Sequence, residues 1–212
     1  MKSPLAEHER DRLIEAMLPD VAFDGWSRAA LRVAARQMDM PPAEALALFP
    51  RGAPDLVSGF SAWADRRMLD WYEAAPPEGQ STGARVKRAL ALRFEAVAPW
   101  REAVRRALAV LAMPPHVALG LRLVYDTVDG IWYAAGDTAT DFSFYTKRAT
   151  LAGIYGATLL YWLEDRSDDF ADTRDFIDRR LAEVAQFGAA RERLEAAVER
   201  LPNPFRLFRP AR

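Results

Sequence analysis

Apolar residues recur along almost the whole chain at helical spacing, three or four positions apart, and nowhere alternate with polar ones cleanly enough to compete as a strand. A first helix is predicted from about His8 to Leu18, with Leu13, Met17 and Leu18 on one face and Pro19 near its end. Ser27 is placed to cap a second helix, Arg28 to about Met38. The pair Pro41-Pro42 opens a short third helix ending at Phe49, because proline fits a helix start but not its interior. Asp55 begins a longer fourth helix bearing Leu56, Phe60, Trp63 and Trp71. The segment Ala74 to Gly83, AAPPEGQSTG, reads as a linker.

Beyond it the pattern predicts helices near Ala84–Val97, Trp100–Ala112 and Pro115–Ala135, punctuated by Pro99 and Pro114-Pro115. Asp141 has the position of an N-cap for a long apolar helix ending near Glu164, with Gly153, Gly156 and Ala157 as small residues that let another helix approach. Asp169 or Asp172 starts the next helix, with Ile177, Leu181 and Val184 inward and Gly188 as its stop. A last helix spans Ala189 to Leu201. The expected architecture is all-α, with a small N-terminal unit over 1–75 and a larger helical bundle over 76–212.

Composition narrows the chemistry. Of 212 residues half are hydrophobic and 28% charged, enough for a real core, and the net charge is −1. The absence of cysteine removes disulfides, thiolate zinc sites, iron–sulfur clusters and a cysteine nucleophile together. His8 and His116 are the two histidines; Leu5 and Met113 stand three positions before them, so no Glu-x-x-His pair of a di-iron bundle occurs. Nucleophile elbow, P-loop and dinucleotide fingerprint are likewise missing. The expectation is a non-enzyme with no cofactor and no metal site, so that any oxidative chemistry belongs to a partner. Met1 to Asp20 lacks a continuous apolar core, and the weakly polar run Ala149 to Leu163 is shorter than a spanning helix needs. The expectation is a soluble, cytoplasmic chain with membrane contact only peripheral.

The N-terminal order of helix, Gly25-Trp26-Ser27, helix, tight turn, short helix and long helix resembles the TetR-type repressors. Their short third helix enters the major groove and needs basic or hydroxyl donors for phosphate. Here it reads PPAEALALF, with Glu44 its only charge, and residues 1–75 hold nine basic against twelve acidic residues, net −3. A degenerate helix-turn-helix without nucleic-acid binding is expected; the alternative is a TetR-type ligand-responsive transcriptional regulator.

The richest stretch is Asp129 to Phe187. It supplies Gly136-Asp137, Thr140-Asp141-Phe142, Tyr145-Thr146-Lys147-Arg148, then Asp165-Arg166-Ser167, Asp169-Phe170 and Asp172-Thr173. This pattern resembles the accessory proteins of ubiquinone biosynthesis, the ninth coenzyme Q protein family. Ala112-Met113-Pro114 and Asp129 to Trp132 fit the segment upstream. The resemblance implies a TetR-like homodimer that binds an isoprenoid quinone intermediate in an apolar pocket. It implies presentation of that lipid to a separate ubiquinone-biosynthesis hydroxylase. It places a docking patch at Asp129, Trp132, Asp137, Asp141, Phe144, Tyr145 and Arg148. Phe144 stands where mitochondrial members tend to have Trp, and Lys147 replaces an Arg, losing bidentate geometry.

Aliphatic stripes on the long helices offer Leu121, Val124, Val128, Leu151, Ile154, Tyr155 and Leu159 as pocket residues, although such stripes also build ordinary cores. The acidic stretch Glu164 to Asp178 reads chiefly as a helix N-terminus complementing its dipole. The tail after Leu201 interleaves Phe205, Leu207 and Phe208 with Arg206, Arg209 and Arg212, net +3 with no acid. Aromatics beside basic residues fit an anionic membrane surface, so the protein is expected to lie peripheral to the inner membrane.

Overall fold

The computed structural model describes residues 4–77, 80–137 and 142–199 of the chain. Among these, nine α-helices follow one another with no strand: α1 (Pro4–Asp24), α2 (Arg28–Gln37), α3 (Pro42–Leu48), α4 (Ala53–Ala74), α5 (Thr82–Val97), α6 (Arg101–Leu111), α7 (Val117–Ala134), α8 (Phe142–Glu164) and α9 (Ala171–Glu199). The all-α expectation holds, and most boundaries lie where caps and prolines put them. The Ser27 hydroxyl accepts from Ala30 N at 3.1 Å to start α2, and Ser81 accepts from Ala84 N at 3.3 Å to start α5. At α4 the Asp55 carboxylate takes the Arg51 N–H and its guanidinium, each at 2.7 Å.

Three boundaries differ from the sequence reading, the first being the start of α1 at Pro4, one turn before His8. Pro19 lies inside α1, which runs on to Asp24. Leu13, Ile14, Met17, Leu18 and Val21 are all buried, so the apolar stripe continues past the proline, and its burial outweighs one lost backbone hydrogen bond. Gly188 does not stop α9, which continues as one helix through Glu199 and absorbs the separate last helix predicted from Ala189. A glycine inside a helix costs about 1 kcal/mol, which its alanine-rich flanks offset.

The N-terminal helices α1 to α3 pack as a helix-turn-helix-like unit whose interior is Leu13, Met17, Leu31, Ala34, Ala45 and Phe49. Trp26, from the turn before α2, donates its indole N–H to Ala103 O of α6 at 3.0 Å. The long α4 runs from that unit into the bundle, where it packs on α5 and α7. Helices α7 and α8 lie together, with α9 against α8 and α5. Among the described residues no single helix is long and apolar enough to cross a membrane.

Candidate functional site

The C-terminal end of α7 sets the geometry. Gly136 adopts φ +76°, and its N–H reaches Tyr133 O at 2.9 Å while Asp137 N–H reaches Trp132 O at 3.0 Å. This paired closure requires a left-handed residue, which glycine supplies without strain. It turns Asp137 back towards α8, where Lys147 Nζ meets its Oδ1 at 2.8 Å and Arg148 Nη1 its Oδ2 at 3.4 Å. Arg148 Nε also donates to Asp129 Oδ1 at 2.7 Å, and the guanidinium lies 3.4 Å over the Phe144 ring. Tyr145 contacts Phe144 edge-on at 5.2 Å, and Lys147 sits 5.5 Å over Trp132. Six of the seven residues expected in the docking patch are thus brought together; Asp141 lies outside the described residues.

Their exposure divides them. Arg148 is buried, and the Asp137 carboxylate beside it is 5% exposed, so this pair clamps α7 to α8 instead of facing solvent. Tyr145, at 68% exposed, faces outward together with part of Asp129. The sequence reading missed Tyr133, which is 74% exposed one residue after Trp132. Trp132 is half-buried, and its indole Nε1 has no hydrogen-bond partner among the described residues.

The motif running from Asp165 to Thr173 is a corner. The Asp165 carboxylate accepts from Ser167 N (2.8 Å), Ser167 Oγ (2.6 Å), Thr173 N (2.9 Å) and Thr173 Oγ1 (2.5 Å). Burial pushes this carboxyl up, and the hydrogen bonds from Ser167 and Thr173 more than reverse that, to about 2. Arg101 donates to Asp165 O at 2.6 Å and covers Phe170 at 4.7 Å. The acidic run was read as complementing a helix dipole; its buried member instead ties the end of α8 to the start of α9.

The seven expected pocket residues separate. Val124, Tyr155 and Leu159 line a cavity of about 80 Å³ between α4, α5, α6, α7 and α8. Leu151 and Ile154 line a second, larger space, an apolar groove of about 330 Å³ walled by Val86, Trp132, Lys147, Leu181 and Val184. Val128 is fully buried and borders neither space, while Leu121 is 70% exposed on the outer side of α7. The tail residues Phe205, Arg206, Leu207, Phe208 and Arg209 lie outside the described residues.

The sequence reading also missed a charged cluster at the floor of the cavity. Arg93 Nε donates to Asp65 Oδ1 at 2.6 Å, and Thr127 Oγ1 donates to the same carboxylate at 2.9 and 3.1 Å. Burial pushes the Asp65 carboxyl up while Arg93 draws it down, with the net direction upward. No spacing signal marks these residues, which come from α4, α5 and α7. Among the described residues no three His, Cys, Asp or Glu side chains gather as a metal site. On α3 the exposed positions include Ala43, Glu44 and Ala47, none of them a phosphate donor.

Comparison with known proteins places this geometry. The COQ9 family model matches residues 117–188, which cover α7, the Arg148 cluster, α8 and the Asp165 corner. The COQ9-B protein of Xenopus laevis, named as a mitochondrial ubiquinone biosynthesis protein, is 32% identical over 200 residues, covering 91% of this chain and 68% of the relative. The chain belongs to the COQ9 family. Mitochondrial COQ9 proteins of Xenopus tropicalis (32% over 200 residues, 91% of this chain) and Homo sapiens (29% over 202 residues, 92% of this chain) match over the same extent. The chain spans 63% of the length of each of those two relatives. A crystal structure of a TetR transcriptional regulator from Nitrosomonas europaea superposes with a TM-score of 0.67 at 24% identity, over 84% of this chain and 99% of that one. That likeness establishes the TetR-like fold expected for the COQ9 chain from its helix order.

Proposed function

We propose that this COQ9-family chain acts in ubiquinone biosynthesis as a non-catalytic accessory protein, holding an isoprenoid quinone intermediate and presenting it to a partner hydroxylase. The observation that carries the reading is the 330 Å³ groove between α5, α7, α8 and α9, whose wall is almost wholly apolar and which includes Trp132 and Lys147 of the Arg148 cluster. Its volume lies in the range of ligand pockets, about 300–1,000 Å³. A lipid seated there lies against Trp132 and Lys147, which belong to the same cluster as the docking patch. The names of the curated relatives supply the pathway.

The protein acts as a homodimer at a membrane surface. Gly153 and Gly156 of α8 have nothing within 4 Å of where a Cβ would stand, leaving room for a second helix to approach. The basic, aromatic tail after Leu201 supplies the peripheral membrane contact, and truncation after Arg200 lowers sedimentation with anionic vesicles; unchanged sedimentation overturns that assignment. A regulator that reads DNA is the weaker alternative, since Glu44 and two alanines front the short third helix.

The deciding experiment is native mass spectrometry of the full chain expressed in a quinone-making host. A co-purifying prenylated ring compound is expected, and Val184→Arg, at a groove residue 39% exposed, should empty the groove while leaving the fold intact. Protein that arrives empty from several such hosts overturns the lipid reading.

A further inference from the structure

Just inside the Asp165 corner, Asp169 and Phe170 hold φ +51° and +55°, a left-handed pair without glycine. The hydrogen bonds of the corner go to Ser167 and Thr173, not to this pair. The pair turns the Phe170 ring onto Trp162, 5.9 Å between centroids, with Arg101 over both. Trp162 is fully buried there, and its indole Nε1 has no hydrogen-bond partner among the described residues. A phenylalanine would fill the same place without a stranded donor, and a buried polar group left unpaired is costly enough to need a reason. Both residues border one cleft of about 390 Å³ between α5 and the start of α9, a volume within the range of ligand sites. Ala91, Phe94, Ala98 and Ile177 make its sides and Trp162 its inner wall. Thr173 lines it too but gives its hydroxyl to Asp165. At the mouth Glu95 pairs with Arg88 at 3.6 Å and Asp169 with Arg174, so no net charge faces the opening.

We propose that this cleft binds an uncharged carbonyl group on a compact aliphatic body, the chemistry of a leucine-like amide. The carbonyl oxygen accepts the Trp162 indole N–H, and the aliphatic body lies between Ala91, Phe94 and Ile177. An indole N–H donates and cannot accept, so the innermost polar atom of the ligand is an acceptor. The two ion pairs at the mouth satisfy one another, and a charged ligand would give up water without finding a free counter-ion. Phe94 and Phe170 tilt against Trp162 at 46° and 49°, so the space between them is not a flat slot for a further ring. The amide is either a free small molecule or the main-chain carbonyl of a peptide whose apolar side chain enters the cleft. The cleft shares no lining residue with the groove, and the lipid reading does not depend on it.

The test is titration of the full chain with isocaproamide, isocaproate and isohexylamine, which share one body and differ in charge, followed through the indole N–H resonances by NMR. The Trp162 resonance is the one missing from Trp162→Phe, and it is expected to move as the amide binds. The amide should bind at least about tenfold more tightly than either charged analogue. Trp162→Phe should weaken the amide about five- to tenfold, the worth of one hydrogen bond. Ala91→Leu should fill the cleft and abolish binding while the urea midpoint stays in place, which certifies the fold. Tighter binding of a capped Ala-Leu-Ala peptide than of isocaproamide assigns the site to a peptide, and no gain assigns it to a free amide. A charged analogue that binds as tightly as the amide overturns the proposal, as does amide binding that leaves the Trp162 resonance still or survives Ala91→Leu. Absence of binding by all of these probes overturns it too and leaves the cleft to water.

Discussion

Helix α7 contributes to two Asp–Arg clusters, each built on a buried arginine, that differ in how their carboxylates meet solvent and in how many cations they share. On one side Asp129 and the α7 C-terminal turn hold Arg148, with the Asp129 carboxylate 46% exposed and Phe144 beneath the guanidinium. On another side, two residues earlier in the chain, Thr127 helps Asp65 hold Arg93 in the interior, where Arg93 is 5% exposed. The first cluster joins neighbouring helices at a surface that also offers Tyr145. The second joins α4, α5 and α7 at the wall of a cavity. Charge pairing at a surface is cheap and adaptable; in the core the desolvation of both ions makes each partner depend on the other.

That difference predicts the largest effect. Arg93→Met leaves Asp65 buried without its cation and should destabilise the fold by about 3–5 kcal/mol, read from the urea midpoint. The double variant Asp65→Leu with Arg93→Met should recover most of that loss, since removing both charges removes the desolvation cost with them. If the double variant is as unstable as the single one, the pair is not what makes this region sensitive.

A third carboxylate sharpens the contrast because its partners are neutral. Asp165 accepts four hydrogen bonds from Ser167 and Thr173, and Asp165→Ala should cost about 2–3 kcal/mol. Its carboxyl titrates at about 2 when folded against an ordinary value of 3.8. A carboxyl lowered on folding stabilises the protein above its unfolded value and loses that contribution as pH falls through the folded one. The stability gap between wild type and Asp165→Ala should therefore narrow between about pH 4 and pH 2. A gap that stays constant across that window means Asp165 is not the titrating group.

What could be seen in advance follows the same division. The Arg148 cluster was legible because Gly136-Asp137 and Tyr145 to Arg148 lie within thirteen residues, so the turn and the helix start that unite them are local. The helices were legible for the same reason: Ser27 and the Pro41-Pro42 pair act on their own neighbours. Asp65, Arg93 and Thr127 come together only through packing of three helices, and no spacing records that. The pocket residues were half legible. Helical spacing found the faces of α7 and α8, but it could not say that Ile154 and Tyr155, adjacent in sequence, border different spaces, or that Leu121 faces outward. Pro19 and Gly188 misled because a local breaker signal yields when neighbouring residues favour the helix strongly enough.

At the Arg148 cluster, Arg148→Met should cost less than Arg93→Met, about 1–2 kcal/mol, because the partly exposed Asp129 regains water and the buried Asp137 keeps Lys147 as its cation. Arg148→Lys keeps the charge yet loses the planar fork shared between Asp129 and Asp137 and the stacking on Phe144, so it should recover little of that. A variant with Lys as stable as the wild type indicates that charge alone closes α7 onto α8.

The smallest effect on stability should be the most informative about function. Tyr145 is 68% exposed and touches Phe144 by an edge, so Tyr145→Ala should move the urea midpoint by no more than about 0.5 kcal/mol of stability. If the outward half of the cluster is where a hydroxylase docks, the same change removes an aromatic anchor and should weaken that complex tenfold or more, whereas Arg148→Lys weakens it through a displaced helix start. The two variants therefore separate a side chain that touches the partner from one that positions it. Loss of binding in Tyr145→Ala at unchanged stability assigns Tyr145 to the interface, and unchanged binding moves the docking site off this face of α8.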